Sequence, residues 1–374
     1  MTFRFLHSSD LHLGKPFGNV SDDLRGRLRE ARHTAIDRLA QKARDHGAQT
    51  ILLAGDTFDT ETPSAPVLRQ ALAAIAGHSD LTWVMLAGNH DSLMAEDLWQ
   101  KISADQPGNL MLVPETKPVW IAPDVAVLPA PCTTRRPGRD LTAWMDECDT
   151  GNAIRIGLAH GAIQTFSEDG NVADVIAPYR AQRARLDYLA LGDWHGQIRV
   201  NDRTWYSGTP EPDRFKHNKP GAALMVTVDG PGATPLTEPV ETGSFEWRTL
   251  NLELLSGEDA AATLLQRLPV STLRRQILLR VMAQGRTTLS GRTALEAAHR
   301  RVAPEFAEAQ LRAEGLMTDC DQTDLAGLNG AGALKGAAQS LMDQINDETL
   351  SPERRDVAQA ALIRLFSYCE AYPA

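Results

Sequence analysis

Five apolar runs in this chain end on the same kind of residue. Residues 3–7 lead to Asp10 and His12 in SSDLHLG. Residues 50–54 lead to Asp56 in AGDTFD, and residues 81–87 to Asn89, His90 and Asp91 in AGNHDS. Residues 154–159 lead to His160 in LAHG, and residues 188–191 to Asp193 and His195 in LGDWHG. Short apolar runs closed by glycine and polar residues read as buried strands. Repeated delivery of acids, an amide and imidazoles just past strand ends constrains the fold strongly. In open α/β sheets the C-terminal strand edge is where ligand sites lie. Singly, each segment has a plain reading: a capped turn, a helix cap, a satisfied histidine. The ordered set reads as one site.

The segments between these runs support alternation of strands and helices. Leu24, Leu28, Ala31, Ala35, Leu39 and Ala43 recur at helical spacing in a charged background, and Gly47 follows as a stop. Ser64 can cap a second helix, with Pro66 tolerated in its first turn. Further strands are expected at 124–128, 204–206 and 224–228, with a turn at Asn201 and Asp202. The pattern predicts an α/β sandwich of mixed sheets with helices outside.

Residues 229–243, DGPGATPLTEPVETG, lose periodicity and read as a boundary. Beyond them come an expected strand at 247–254, helix at 258–268, strand at 276–281, helix at 291–303 and strand at 309–315. That order is a small βαβαβ domain. A Gly/Ala-rich stretch at 327–338 then leads into helical sequence.

With 374 residues the chain is long enough for one large and one smaller domain. The net charge of −10 argues against a uniformly basic nucleic-acid binder, while leaving room for a local basic groove or a metal. Cys132, Cys148, Cys320 and Cys369 form no CxxC pair, which fits unbridged thiols in a reducing compartment. No run is long and apolar enough to span a bilayer, and the first residues lack signal-peptide features. A cytoplasmic protein without membrane contact is expected.

The set D-x-H, GD, GNHD, H-G and G-x-x-H resembles the calcineurin-like metallophosphoesterases over roughly residues 1–225. Within them, FLHSSDLHLGKPF, AGDTFDTETPS and YSGTPEPDRF are similar to the SbcD and Mre-type DNA repair exonucleases, YhaO-like proteins included. The resemblance implies a calcineurin-like β-sandwich flanked by helices at 1–232, a small α/β capping domain at 244–318 and a helical segment at 331–374. It implies two divalent ions, with Mn2+ favoured by the mixed O/N donors and Mg2+, Fe or Zn2+ as alternatives. Asp56 would bridge the ions. Asp10, His12 and His195 would complete one shell, and Asn89 and His160 would serve the other. Most of the family carries GHxH where this chain has GDWH, so Asp193 replaces a histidine. Retained ligation by its harder carboxylate is expected; the alternative is a weakened second ion. His90 would act on the phosphate or leaving oxygen. Asp91 either orients His90 or caps the loop, and Asp59 would stand behind the ligands.

The implied activity is two-metal hydrolysis of DNA phosphodiesters. The rival reading is a phosphoesterase for nucleotides, cyclic nucleotides or other small esters. The resemblance also implies an SbcC-type, SMC-like coiled-coil ATPase as partner, and homodimers. Three basic clusters could touch phosphates or be solvated: Arg135, Arg136 and Arg139; Arg180, Arg183 and Arg185; Arg214, Lys216 and Lys219. The apolar tail stripe of Leu341, Ile345, Ala360, Leu362, Ile363, Leu365 and Phe366 could dock on a coiled coil or pack on its own domain.

Overall fold

The computed structural model describes residues 2–163, 175–216, 218–319 and 332–371, with 332 and 367–371 described by backbone alone. The expected Gly/Ala-rich stretch at 327–338 and the start of the segment at 331 lie partly outside these residues. So do Cys320 and the side chain of Cys369. Cys132 and Cys148 are unbridged. The chain divides into two units, Met1–Trp247 and Arg248–Ala374.

In the first unit the strands are β1 (Phe3–Ser8), β2 (Thr50–Leu53), β3 (Thr82–Met85), β4 (Leu110–Leu112), β5 (Val119–Ala122) and β6 (Val125–Ala130). They continue with β7 (Ile154–His160), β8 (Tyr188–Gly192), β9 (Ile198–Asn201), β10 (Thr204–Tyr206), β11 (Ala222–Val228) and β12 (Leu236–Glu241). The helices are α1 (Asp22–Asp45), α2 (Ala65–Gly77), α3 (Glu96–Ala104) and α4 (Arg180–Arg183).

These strands make two six-stranded sheets, β12-β11-β1-β2-β3-β4 and β5-β6-β7-β8-β10-β9. Strands β1 to β4 run parallel, as do β6, β7 and β8. The period-2 alternation of a strand divides the core in two. Leu6, Ile51, Leu53, Trp83 and Met85 face the helices. Phe5, Leu52, Ala54 and Val84 pack instead with Val127, Ile156, Leu158 and Ala190 of the other sheet. Both faces are covered, so the strands read as unbroken apolar runs, as buried parallel strands should.

Helix α1 begins where Ser21 accepts a hydrogen bond from the Leu24 N–H, with Asp22 and Asp23 in the first turn and Lys42 and Arg44 in the last. Its buried stripe is Leu24, Leu28, Ala31, Ala35, Ile36, Leu39 and Ala43, with Arg32 as the charged exception.

Sequence periodicity misses β4, β5, β9, α3 and β12. Residues 229–243, expected as a boundary, contain β12, which pairs antiparallel with β11 in the first unit. Most of β12 is exposed and it carries Pro239, so it shows no apolar pattern. Proline is tolerated there because β12 is an edge strand.

The second unit takes most of β13 (Glu246–Leu254), then α5 (Ala260–Arg267), β14 (Ile277–Thr288), α6 (Leu289–Val302) and β15 (Glu308–Asp319). Its sheet order is β13-β14-β15, with β14 and β15 parallel. Asp259 and Thr288 cap the two helices through the N–H groups of Ala262 and Gly291. Two further helices follow, α7 (Gly332–Asn346) and α8 (Pro352–Ala371). Ala338, Met342, Leu362 and Phe366 bury themselves with Leu289 of α6, and Leu341, Ile345, Ile363 and Leu365 pack around them. All of the tail stripe except exposed Ala360 therefore packs within its own unit. Among the described residues no helix is long and apolar enough to cross a membrane.

Candidate metal centre

All seven expected metal-ligand positions and His90 meet at the C-terminal ends of β1, β2, β3, β7 and β8. Asp10 and His12 follow β1, Asp56 follows β2, Asn89 and His90 follow β3, His160 is the last residue of β7, and Asp193 and His195 follow β8. Donor atoms of Asp10, His12 and His195 lie within 4.8 Å of one another, as do those of Asp10, Asp56 and His160, and those of His12, Asp56 and His90. His160 Nε2 is 3.0 Å from Asn89 Oδ1, 3.5 Å from Asp56 Oδ2 and 3.9 Å from Asp193 Oδ1. Asp56 thus stands between two groups of donors, with His12 Nε2 at 3.7 Å on one side and His160 on the other. Asp193 brings its carboxylate to the His160 side, and its N–H donates to both Asp10 oxygens at 3.2 Å.

Three of the four imidazoles are aimed by an acceptor at Nδ1. His160 Nδ1–H donates to the Ala54 carbonyl at 2.8 Å, and His195 Nδ1 faces Asp213 Oδ1 at 3.2 Å. His12 Nδ1 lies 3.2 Å from Asp59 Oδ1 without making a hydrogen bond to it. His90 Nδ1–H donates to the Asp59 carbonyl at 2.8 Å. Such partners fix the tautomer that leaves Nε2 as a lone-pair donor.

This orientation tests whether the residues fit a cation. His12 Nε2 and His195 Nε2 stand 3.1 Å apart. Asp10 is fully buried and Asp56 nearly so. Clustered buried carboxylates are costly unless positive charge lies among them. Burial disfavours a charged His160, yet the neighbouring Asp56 carboxylate holds its pKa well above the usual imidazole value. A divalent ion can replace that proton. The donor set fits hard or borderline divalent ions.

Local backbone strain accompanies the site. Asp10, His12, Asp56 and Asp193 all have positive φ, at 55°, 44°, 52° and 101°. Non-glycine residues avoid this region, and such strain concentrates where a fold is held for function. Two glycines are equally constrained. A Cβ on Gly88 would lie 2.1 Å from Asp56 Oδ1, and one on Gly192 would lie 2.1 Å from the Ala54 carbonyl oxygen.

Of the two roles expected of Asp91, orienting His90 or capping its loop, its contacts make the cap. Its carboxylate accepts the N–H groups of Gly88 at 2.7 Å and Phe58 at 3.1 Å. Full burial and the nearby Asp56 charge push its pKa up to about 7. Asp91 caps the turn that carries Asn89 and His90, and the Asp59 carbonyl takes the orienting position at His90 Nδ1. Neighbouring residues on a tight turn point different ways, so adjacency in sequence does not bring the two side chains together.

Sequence reasoning missed Asp213, Arg32, Lys15 and Ser9. Asp213 holds His195 while Lys15 Nζ sits 2.9 Å and Arg32 Nη2 3.6 Å from its other oxygen. Burial pushes the Asp213 pKa up, but His195, Arg32 and Lys15 pull it well below the carboxylate range. Ser9 donates to Asp10. A buried arginine on the apolar face of α1 was the available signal for Arg32. Asp213 lay within YSGTPEPDRF, without a spacing that reveals its partner.

Residues 3–227 match the family model described as calcineurin-like phosphoesterase. The chain belongs to the calcineurin-like phosphoesterases. It is a hydrolase of phosphoester bonds. This phosphoesterase is 40% identical to the SbcD component of nuclease SbcCD from Escherichia coli over 93 residues, covering 24% of this chain and 22% of that protein. It is 30% identical to the SbcD component of the Bacillus subtilis nuclease over 122 residues, 32% of this chain and 29% of that one. It is 26% identical to "Uncharacterized metallophosphoesterase YhaO" of Bacillus subtilis over 204 residues, 51% of this chain and 48% of that protein. The phosphoesterase thus matches less than half the length of each of these curated relatives.

Proposed function

We propose that this phosphoesterase is a metal-dependent DNA phosphodiesterase of the SbcD type, acting as an exonuclease in DNA repair. The observation that carries the reading is the pair of donor groups on either side of Asp56. A pair of divalent ions held there, with Mn2+ as the proposed occupant, supplies a water-derived nucleophile at neutral pH and neutralises phosphate charge. Asp10, His12 and His195 would hold one ion, and Asn89, His160 and Asp193 the other, with Asp56 placed between the two groups. Asp193 in place of histidine puts an extra anionic oxygen at the second ion. His90, fixed at Nδ1 by Asp59, presents its free nitrogen to the substrate phosphate or leaving oxygen, where a donated proton offsets developing charge. Asp91 holds the turn beneath it. The segments shared with the SbcD components of SbcCD nucleases support DNA as substrate. An SMC-like, SbcC-type ATPase as partner and a homodimer belong to the same reading, as does a cytoplasmic location. The second unit serves as a capping domain.

Of the three relatives above, the one that covers most of this chain is named only as a metallophosphoesterase, which keeps small phosphoesters in view. End-labelled duplex and single-stranded DNA with Mn2+, compared with bis-p-nitrophenyl phosphate, separates the two. Metal-dependent DNA cleavage that disappears in His90→Ala is the expected outcome. Turnover of the small ester alone, with or without an SbcC-type ATPase present, overturns the nuclease reading.

A further inference from the structure

The loop leaving β6 carries three arginines and starts beside the metal centre. Cys132 pins its start: its N–H donates to the Ala87 carbonyl at 3.0 Å, its carbonyl accepts the Leu93 N–H at 2.9 Å, and its thiol lies 3.5 Å from the His160 carbonyl. Ala87 and Leu93 bracket the turn bearing Asn89 and His90, and His160 is a proposed ligand. The loop thus springs from the wall of the site. Arg135 stands three residues further on, so its Cα lies within about 11 Å of Cys132.

The charges of this loop are arranged one way. Arg135, Arg136 and Arg139 are exposed, and none has a hydrogen-bond or ion-pair partner among the described residues. The single acid between residues 131 and 142 is Asp140. It is committed elsewhere: it accepts from Thr142, from the Ala177 N–H at 3.2 Å and from Arg180 Nη2 at 2.8 Å. Three such arginines on a loop that starts at the wall of the site add local positive potential to that side of the unit.

We propose that Arg135, Arg136 and Arg139 form a phosphate rail that holds the DNA backbone flanking the scissile bond. It makes this enzyme prefer a polymer over an isolated ester. The proposal rests on the nuclease reading and adds residues that position the substrate without touching the reacting atoms. Guanidinium groups suit this role because they bind phosphate through paired N–H donors and remain charged at any working pH. The rail so proposed acts on substrates that extend past the metal centre and leaves turnover of a small diester unchanged.

The test uses the full chain loaded with Mn2+ and a fluorescein-labelled DNA duplex over a salt series, with bis-p-nitrophenyl phosphate as the short substrate. The triple variant Arg135→Gln, Arg136→Gln, Arg139→Gln is compared with wild type and with the matching triple lysine variant. Neutralising three phosphate contacts should make the log–log salt dependence of DNA binding shallower by about 2 to 3. DNA affinity and kcat/KM for DNA should fall roughly 10- to 100-fold at low salt, with turnover of the small diester unchanged. The lysine variant should retain the wild-type salt slope. If the triple variant fails to fold, single Arg→Gln variants carry the test, each flattening the slope by about 1. Wild type that binds and cuts DNA, with an unaltered slope and kcat/KM in the variants, overturns the rail and leaves the nuclease reading intact. Wild type that hydrolyses only the small diester overturns both. Equal loss on DNA and small diester also overturns the rail, because the loop would then act on the metal centre itself.

Discussion

At the scale of single residues the site is built from groups that hold other groups. His195 is aimed by Asp213, and Asp213 is balanced by Lys15 and Arg32. Removing a carboxylate behind a metal-binding histidine typically costs 10- to 100-fold in metal affinity. Asp213→Asn is therefore expected to weaken Mn2+ binding by roughly that factor, read by calorimetric titration of the metal-free protein. Unchanged affinity would remove Asp213 from the account. His90 has the opposite signature, because it acts on substrate. His90→Ala should lower kcat by about 10²- to 10⁴-fold while Mn2+ binding stays close to wild type. Parallel loss of metal would make His90 a ligand. Gly88→Ala places a methyl carbon 2.1 Å from Asp56 Oδ1. It should displace that carboxylate and reduce Mn2+ affinity far more than an alanine at Gly77, where a Cβ meets nothing within 4 Å. Equal effects at the two positions would contradict the close approach of Gly88 to Asp56.

At the scale of elements the two sheets are tied by more than apolar contact. His7 on β1 lies fully buried with Nδ1 3.0 Å from the Tyr188 hydroxyl on β8. Burial pushes the His7 pKa down from 6.5 to about 3. The folded protein keeps this imidazole neutral while the unfolded chain protonates it below about 6.5. Its contribution is fully present above that value and is lost as pH falls from 6.5 towards 3. At pH 5 the loss is about 2 kcal/mol. Denaturant unfolding of metal-free wild type and His7→Leu at pH 7.5 and pH 5 checks this, because the site carboxylates contribute equally to both. Wild type should lose more stability than the variant over that interval; identical losses would rule out the linkage. The element scale also shows what patterning can reveal. Strands β1, β2, β3, β7 and β8 are largely apolar because most of both faces is covered, so their ends are plain in the sequence. Edge strand β12 and short β4 bury too little to leave a pattern, and the stretch around β12 reads as a boundary.

At the scale of the whole molecule the buried carboxylates of the centre couple folding to metal. An ion that binds only the folded state stabilises it by about 2.7 kcal/mol at a hundred times its dissociation constant. For a unit of this size each kcal/mol corresponds to roughly 2–4 °C in Tm. Scanning calorimetry with Mn2+ and with a chelator is expected to move the transition of Met1–Trp247 by several degrees and to leave that of Arg248–Ala374 in place. A single transition that moves as a whole would show that the two units unfold together.

What the sequence by itself determined is the alternation of strand and helix, the strand ends and the residue types they deliver. Those are local properties: the apolar period, the glycine that closes a strand and the polar group that follows lie within a few residues of one another. The family and the residues that converge at the site, Asp10, His12, Asp56, Asn89, His160, Asp193 and His195, were legible for that reason. Only the tertiary structure decided which group stands behind each imidazole. Asp213 meets His195 across 18 positions, and Asp59 rather than Asp91 meets His90 across 31. It also decided that the tail stripe, exposed Ala360 apart, is spent inside its own unit, and that Arg135, Arg136 and Arg139 stand unpaired among the described residues. Pairings of this kind depend on where separate strand ends converge in space. Spacing along the chain carries no record of them.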